Sequence, residues 1–62
     1  MSKLKAVRED RGITQKQLAA ASGVNIKSIQ KYESGERDIS KAEAGTVIKL
    51  ADALAAAVKE IV

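Results

Sequence analysis

The reading turns on residues 14–33, TQKQLAAASGVNIKSIQKYE. Thr14 can cap a helix, and Gln17, three residues on, can cap it in return. Ile13 and Leu18 bracket this capping box as a hydrophobic staple, so a helix is expected to start after Thr14 with QKQLAAAS as its body. Leu18 and Ala19 then face inward, and Gln15, Lys16 and Ala20 outward. Gly23 breaks this helix and Asn25 offers the next cap, with Val24 and Ile29 as a second staple. The connection, residues 22–24, is so short that the two helices are expected to cross at roughly 90–120°. The second helix, IKSIQKYES, should end at Gly35, with Leu18, Ile29 and Tyr32 as the apolar underside. Asn25, Ile26, Lys27, Gln30 and Lys31 are left on its outward face.

Outward from this pair, SKLKAVREDRG at residues 2–12 reads as a short amphipathic helix closed by Gly12 in a left-handed conformation. A polar loop is expected from Gly35 to Ile39. Ser40 and Glu43 form a second capping-box pattern, placing a helix start near Lys41. The apolar residues beyond it (Val47, Leu50, Ala51, Leu54, Ala57, Val58 and Ile61) recur at helical spacing. The run Leu54-Ala55-Ala56-Ala57-Val58 contains no stop signal, and alanine has the highest helix propensity of any residue. Two all-α architectures follow. In one, five compact helices bury these residues within the chain. In the other, the last two helices fuse from about Lys41 to Val62, some 33 Å at 1.5 Å per residue, and a second chain covers the stripe. The compact form is preferred, because tertiary packing overrides propensity.

Length and composition set the limits. Sixty-two residues suit one small domain over 1–62 and leave little room for an active-site cleft. Without cysteine or histidine there is no disulfide, no thiolate metal site and no imidazole ligand, and no metal or cofactor is expected. Eleven alanines with no proline, phenylalanine or tryptophan favour closely packed helices. No apolar stretch approaches the roughly 20 residues of a membrane span, and no charged-then-apolar leader opens the chain, so the expectation is a cytoplasmic protein with no membrane partner. The net charge of +3 is uneven. Residues 1–31 carry seven Lys/Arg against two acids, whereas residues 32–62 carry four against six. Such asymmetry suits a polyanion-binding surface as well as plain solvation.

The threonine-glutamine opening of the second helix, the alanine and glycine at the crossing, and the run IQKYESGERDIS before an aliphatic helix resemble the phage repressor and Cro-like, or xenobiotic-response-element, family of helix-turn-helix domains. The resemblance covers most of the chain. It implies a domain that binds double-stranded DNA and regulates transcription, with the helix after Asn25 entering a major groove about 12 Å wide. The positions it assigns to base readout are Asn25, Ile26, Lys27 and Lys31. Lysine can donate to guanine, asparagine can pair with adenine, and Ile26 offers only apolar contact, to a thymine methyl or to the protein itself. Gln15 matches a phosphate-binding position at a helix N-terminus, where free N–H groups and the dipole favour an anion. Lys16, Ser34 and Arg37 extend that set. Arg8 and Glu33 match an internal ion pair tying the first helix to the third. The family usually separates its last two helices by a glycine and a polar cap, both missing here.

Other readings compete. Tyr32, the sole aromatic, suits core packing better than base stacking. Glu9-Asp10 and Glu36-Asp38 suit solvation better than acid–base chemistry, and an enzyme ranks last. A homodimer is expected, with Leu50, Leu54, Ala57, Val58 and Ile61 as its candidate contacts, and the chain reads as a minimal repressor or a piece of a longer regulator. The rival to DNA binding is a protein-interaction module, antitoxin-like or adaptor-like, that grips through the last helix. An inert helical scaffold follows. No small-molecule ligand is inferred.

Overall fold

The computed structural model describes residues 3–62. All regular structure among them is helical: α1 (Lys3–Asp10), α2 (Gln15–Ser22), α3 (Ile26–Ser34), a 3-10 turn (Ile39–Lys41), α4 (Ala44–Ala53) and α5 (Val58–Ile61). The compact five-helix arrangement is the one adopted. The expected first segment opens at Ser2, which lies outside the described residues.

The start of α2 follows from its local chemistry. The Gln17 N–H donates to Thr14 Oγ1 (3.0 Å) and the Thr14 N–H donates to Gln17 Oε1 (2.8 Å), so the two side chains satisfy donors that a helix start leaves open. At the other end Gly23 takes φ 75° and returns its N–H to Ala19 O at 2.9 Å. Ser22 bridges the turn: its hydroxyl donates to Leu18 O and accepts from the Val24 N–H. Asn25 Oδ1 then accepts from the Lys27 N–H (2.8 Å) to open α3. Leu4, Leu18, Ile29, Leu50, Leu54 and Ile61 are fully buried and join all five helices in one core, with Tyr32, Ile39, Val47 and Ala51 around them.

Three expectations are corrected beyond α3. Ser40 and Glu43 do not form a capping box. Asp38 caps the 3-10 turn instead, accepting from both the Ser40 N–H (3.0 Å) and the Ser40 hydroxyl (2.7 Å), and these bonds hold its carboxyl below the usual carboxylate range. Consequently α4 starts at Ala44 rather than near Lys41, and Glu43 precedes it without a side-chain cap. Ile39, expected in a polar loop, is buried, because the turn rotates it into the core.

The last two helices are not fused. Leu54 ends α4, Ala55 adopts φ 52°, and the Ala56 N–H donates to Ala51 O (2.9 Å) while the Ala55 N–H donates to Asp52 O (3.1 Å). This is a Schellman ending with alanine where glycine is usual. The cause lies elsewhere in the chain: Arg11 Nε donates to Leu54 O at 2.9 Å, and turning here lets both Leu54 and Ile61 enter the core. Of the expected dimer contacts, Leu50, Leu54 and Ile61 are 0–1% exposed within their own chain, whereas Ala57 and Val58 remain exposed.

A left-handed conformation costs an L-residue roughly 1–2 kcal/mol, part of which a glycine would return as unfolded-state entropy. Ala55→Gly is therefore expected to stabilise the domain by about 1 kcal/mol, raising Tm by roughly 4–8 °C in a thermal melt followed by circular dichroism. A neutral or lower Tm would contradict the strain assigned to this residue.

Candidate nucleic-acid interface

The interface is built on α3, and α3 is oriented by one buried charge. Glu33 is 7% exposed and lies on the inward face beside Ile29 and Tyr32. Its carboxylate accepts from Arg8 Nε (2.7 Å) and Nη2 (3.0 Å) in a two-pronged pairing, and from Gln15 Nε2 at 3.0 Å. The third edge of the guanidinium donates through Nη1 to Ile13 O at 2.8 Å. The bonds to Glu33 hold the Arg8 pKa above its ordinary value. No side-chain polar atom in the described core lacks a partner. Hydrophobic burial alone is non-directional; this network links α1, the start of α2 and the end of α3 through directed bonds that fix their relative angles.

Helical geometry then divides the rest of α3 into three strips. Lys27, Gln30, Lys31 and Ser34 fall at i, i+3, i+4 and i+7 and form one exposed stripe opposite the core, with Glu36 beyond its end. On one flank, half-buried Ile26 lines a groove with Ile13, Thr14, Gln15 and Lys16. On the other, Asn25, Ser28 and Tyr32 face the 3-10 turn and α4.

The expected site residues are distributed over these strips. Lys27 and Lys31 are exposed at the centre of the outward stripe. Asn25 is exposed, but its carbonyl oxygen is committed to the cap, which leaves its amide N–H₂ as the outward donor. Ile26 packs partly against the protein and keeps one edge open. Gln15 differs from expectation: its side chain is half-buried and turned toward Glu33, so what it offers outward is the α2 N-terminal backbone. Lys16 beside it is exposed. Ser34 spends its hydroxyl locally, donating to Lys31 O (3.1 Å) and accepting from the Glu36 N–H (3.3 Å). Arg37 sits with its guanidinium 5.9 Å from the centre of the Tyr32 ring, a stacking that steadies it at the edge of α3. Sequence reasoning missed the Gln15–Glu33 bond and the Arg11 contact to Leu54. Nothing local signals the second, since it spans 43 residues.

Fold and surface together define a small helix-turn-helix domain whose second motif helix is held outward with a basic, amide-bearing face. The comparisons agree. The helix-turn-helix family profile matches residues 4–60, and the chain belongs to this family, in its xenobiotic-response-element, Cro-like form. Over 51 residues it is 45% identical to an HTH-type transcriptional repressor, RghR, of Bacillus subtilis (strain 168). That alignment covers 82% of this chain and 36% of the relative's length. No solved structure matches. DNA binding and transcription regulation are the class of function these findings support. Among the described residues no helix is long and apolar enough to cross a membrane.

The Arg8–Glu33 pair is 11% and 3% exposed at its side chains, so deleting one partner strands the other. Arg8→Ala is expected to cost about 3–5 kcal/mol in urea unfolding, while Arg8→Met combined with Glu33→Met should recover most of that loss. Equal losses for the single and the paired change would show that packing, not charge pairing, holds α3.

Proposed function

We propose that the domain binds duplex DNA with α3 in the major groove and regulates transcription as a repressor, by occupying its operator. The observation that carries this reading is the exposed Lys27, Gln30, Lys31 and Ser34 stripe, presented by a helix whose opposite face is locked into the core. Lys27 and Lys31 donate to guanine edges, the Asn25 amide group donates to a base acceptor, and the open edge of Ile26 meets a thymine methyl. The α2 N-terminus at Gln15, with Lys16, holds a backbone phosphate, and Ser34 and Arg37 hold others, Ser34 by turning its hydroxyl proton from Lys31 O and Arg37 through its guanidinium. The similarity to a transcriptional repressor of Bacillus supports repression.

Two copies act together in this proposal. Helix-turn-helix dimers read half-sites about 34–36 Å apart, and the domain's Cα extents of 24 × 20 × 19 Å let two copies stand side by side within that repeat. Val58 shares an apolar groove with Val47, Ile48 and Val62, bounded by Ser40, Ala42 and Ala44. Ile48, Val58 and Val62 are the large exposed hydrophobics of the described chain. The side chains lining this groove are all non-ionisable.

Titration of a labelled duplex obtained by selection from a random pool tests the reading. Affinity is expected to fall steeply with salt, and Lys27→Ala or Lys31→Ala to cost about 1–3 kcal/mol with relaxed preference at one base position. Lys16→Ala should instead weaken selected and scrambled duplexes alike. Absence of binding at low salt would refute the proposal; identical behaviour of all three variants would refute the division between readers and positioners. For the paired copies, sedimentation velocity should give twice the chain mass on DNA and one chain per duplex for Ile48→Asp with Val58→Asp. A wild-type complex holding a single chain would overturn the second-copy reading.

A further inference from the structure

Ile26 opens α3, and it lines one groove with Ile13 and Thr14. The two isoleucines differ in what they touch. Ile13 packs against the core, whereas Ile26 is half-buried outside the core cluster, on the groove wall, with one edge open on the flank of α3. The side-chain hydrogen-bonding groups around them are spent on the protein itself. Arg8 gives Nε and Nη2 to Glu33 and Nη1 to Ile13 O, Gln15 Nε2 donates to Glu33 Oε1, and Thr14 Oγ1 accepts from the Gln17 N–H. Of the two remaining ions of the groove, Lys16 is assigned to phosphate above and Glu9 is exposed to solvent. What the groove offers a base edge is therefore aliphatic surface.

The apolar group that a base presents in the major groove is the C5-methyl of a pyrimidine. Thymine carries it, uracil lacks it, and cytosine carries it only when methylated at C5. The atoms that tell thymine from cytosine, O4 and N4, ask for a donor and an acceptor, and the committed side chains of the groove supply neither. We propose that the Ile13–Ile26 groove reads the pyrimidine C5-methyl group itself, so that the domain responds to 5-methylcytosine as it does to thymine and binds its operator more tightly when a cytosine at that step is methylated. This rests on the DNA-binding reading above and deepens it from one base to a chemical group that two bases share. Covering one methyl group is worth about a fourfold change in affinity. Because apolar burial releases no condensed counterion, that factor is independent of salt, unlike the affinity as a whole.

The test is fluorescence anisotropy of the intact chain on the selected duplex, with each thymine replaced in turn by uracil. At the thymine whose methyl matters, duplexes carrying cytosine or 5-methylcytosine opposite guanine are then compared. Loss of the methyl is expected to weaken binding about fourfold at that step, and 5-methylcytosine to exceed cytosine by the same factor, at every salt concentration. Ile26→Ala should bring both ratios close to one while holding affinity for the uracil duplex within about twofold of the wild-type chain, and a thermal melt should show the variant folded. A chain that binds the selected duplex but is indifferent to every uracil replacement would overturn the methyl reading and leave the DNA-binding reading standing. A uracil effect without a matching gain from 5-methylcytosine would overturn the response to methylation. Ratios that persist in Ile26→Ala would place the reader outside this groove and refute the assignment. A wild-type chain that binds neither the selected nor a scrambled duplex would overturn both readings.

Discussion

A single carboxylate, Glu33, sets the orientation on which the rest of this domain depends. Burying it is costly unless its charge is matched, and Arg8 matches it with a planar fork whose remaining edge is spent on Ile13 O. The fork admits one angle between α1 and α3, and the Gln15 amide extends the same constraint to the start of α2. The ten buried apolar residues supply cohesion, but a small, mostly aliphatic core tolerates sliding. The directed bonds remove that freedom, and they do so at the two helices that present the interface.

What could be read from the sequence was what is encoded locally. Thr14 with Gln17, Gly23, Asn25 and Gly35 each act within a few residues of themselves, and α2 and α3 begin and end where those residues place them. The α4–α5 boundary was not legible, because the run Leu54–Val58 has strong helix propensity and no breaker. The turn at Ala55 is enforced from a distance, by Arg11 on the Leu54 carbonyl and by the burial of Leu54 and Ile61. The Ser40–Glu43 pattern misled for a related reason. Asp38 competes for Ser40, and the tighter turn it caps delivers Ile39 to the core.

Surface assignment shows the same division. Periodicity along α3 identifies its outward residues without a structure, since spacing fixes which side chains share a face. It could not reveal that Gln15 turns inward or that Asn25 uses one end of its amide as a cap, because both depend on a partner found only after folding or on backbone geometry at the helix start. Charge summed along the chain was also a poor guide. It places the excess of cations in the first half, yet the tertiary fold draws Arg37, Lys41 and Lys49 from the acidic half to the flank of α3.

The seating of α5 has a consequence for how the molecule opens. Its backbone bonds, Glu60 N–H to Ala57 O and Val62 N–H to Val58 O, are tied to the rest of the domain by one buried side chain, Ile61, packed in the core with α1 and α4. Its amide protons therefore exchange with deuterated solvent through a local detachment far less costly than global unfolding. The two motif helices, linked through Glu33 and the caps at Thr14 and Asn25, exchange last. The carboxy-terminal turn behaves as a separate, weaker cooperative unit docked on a more durable one.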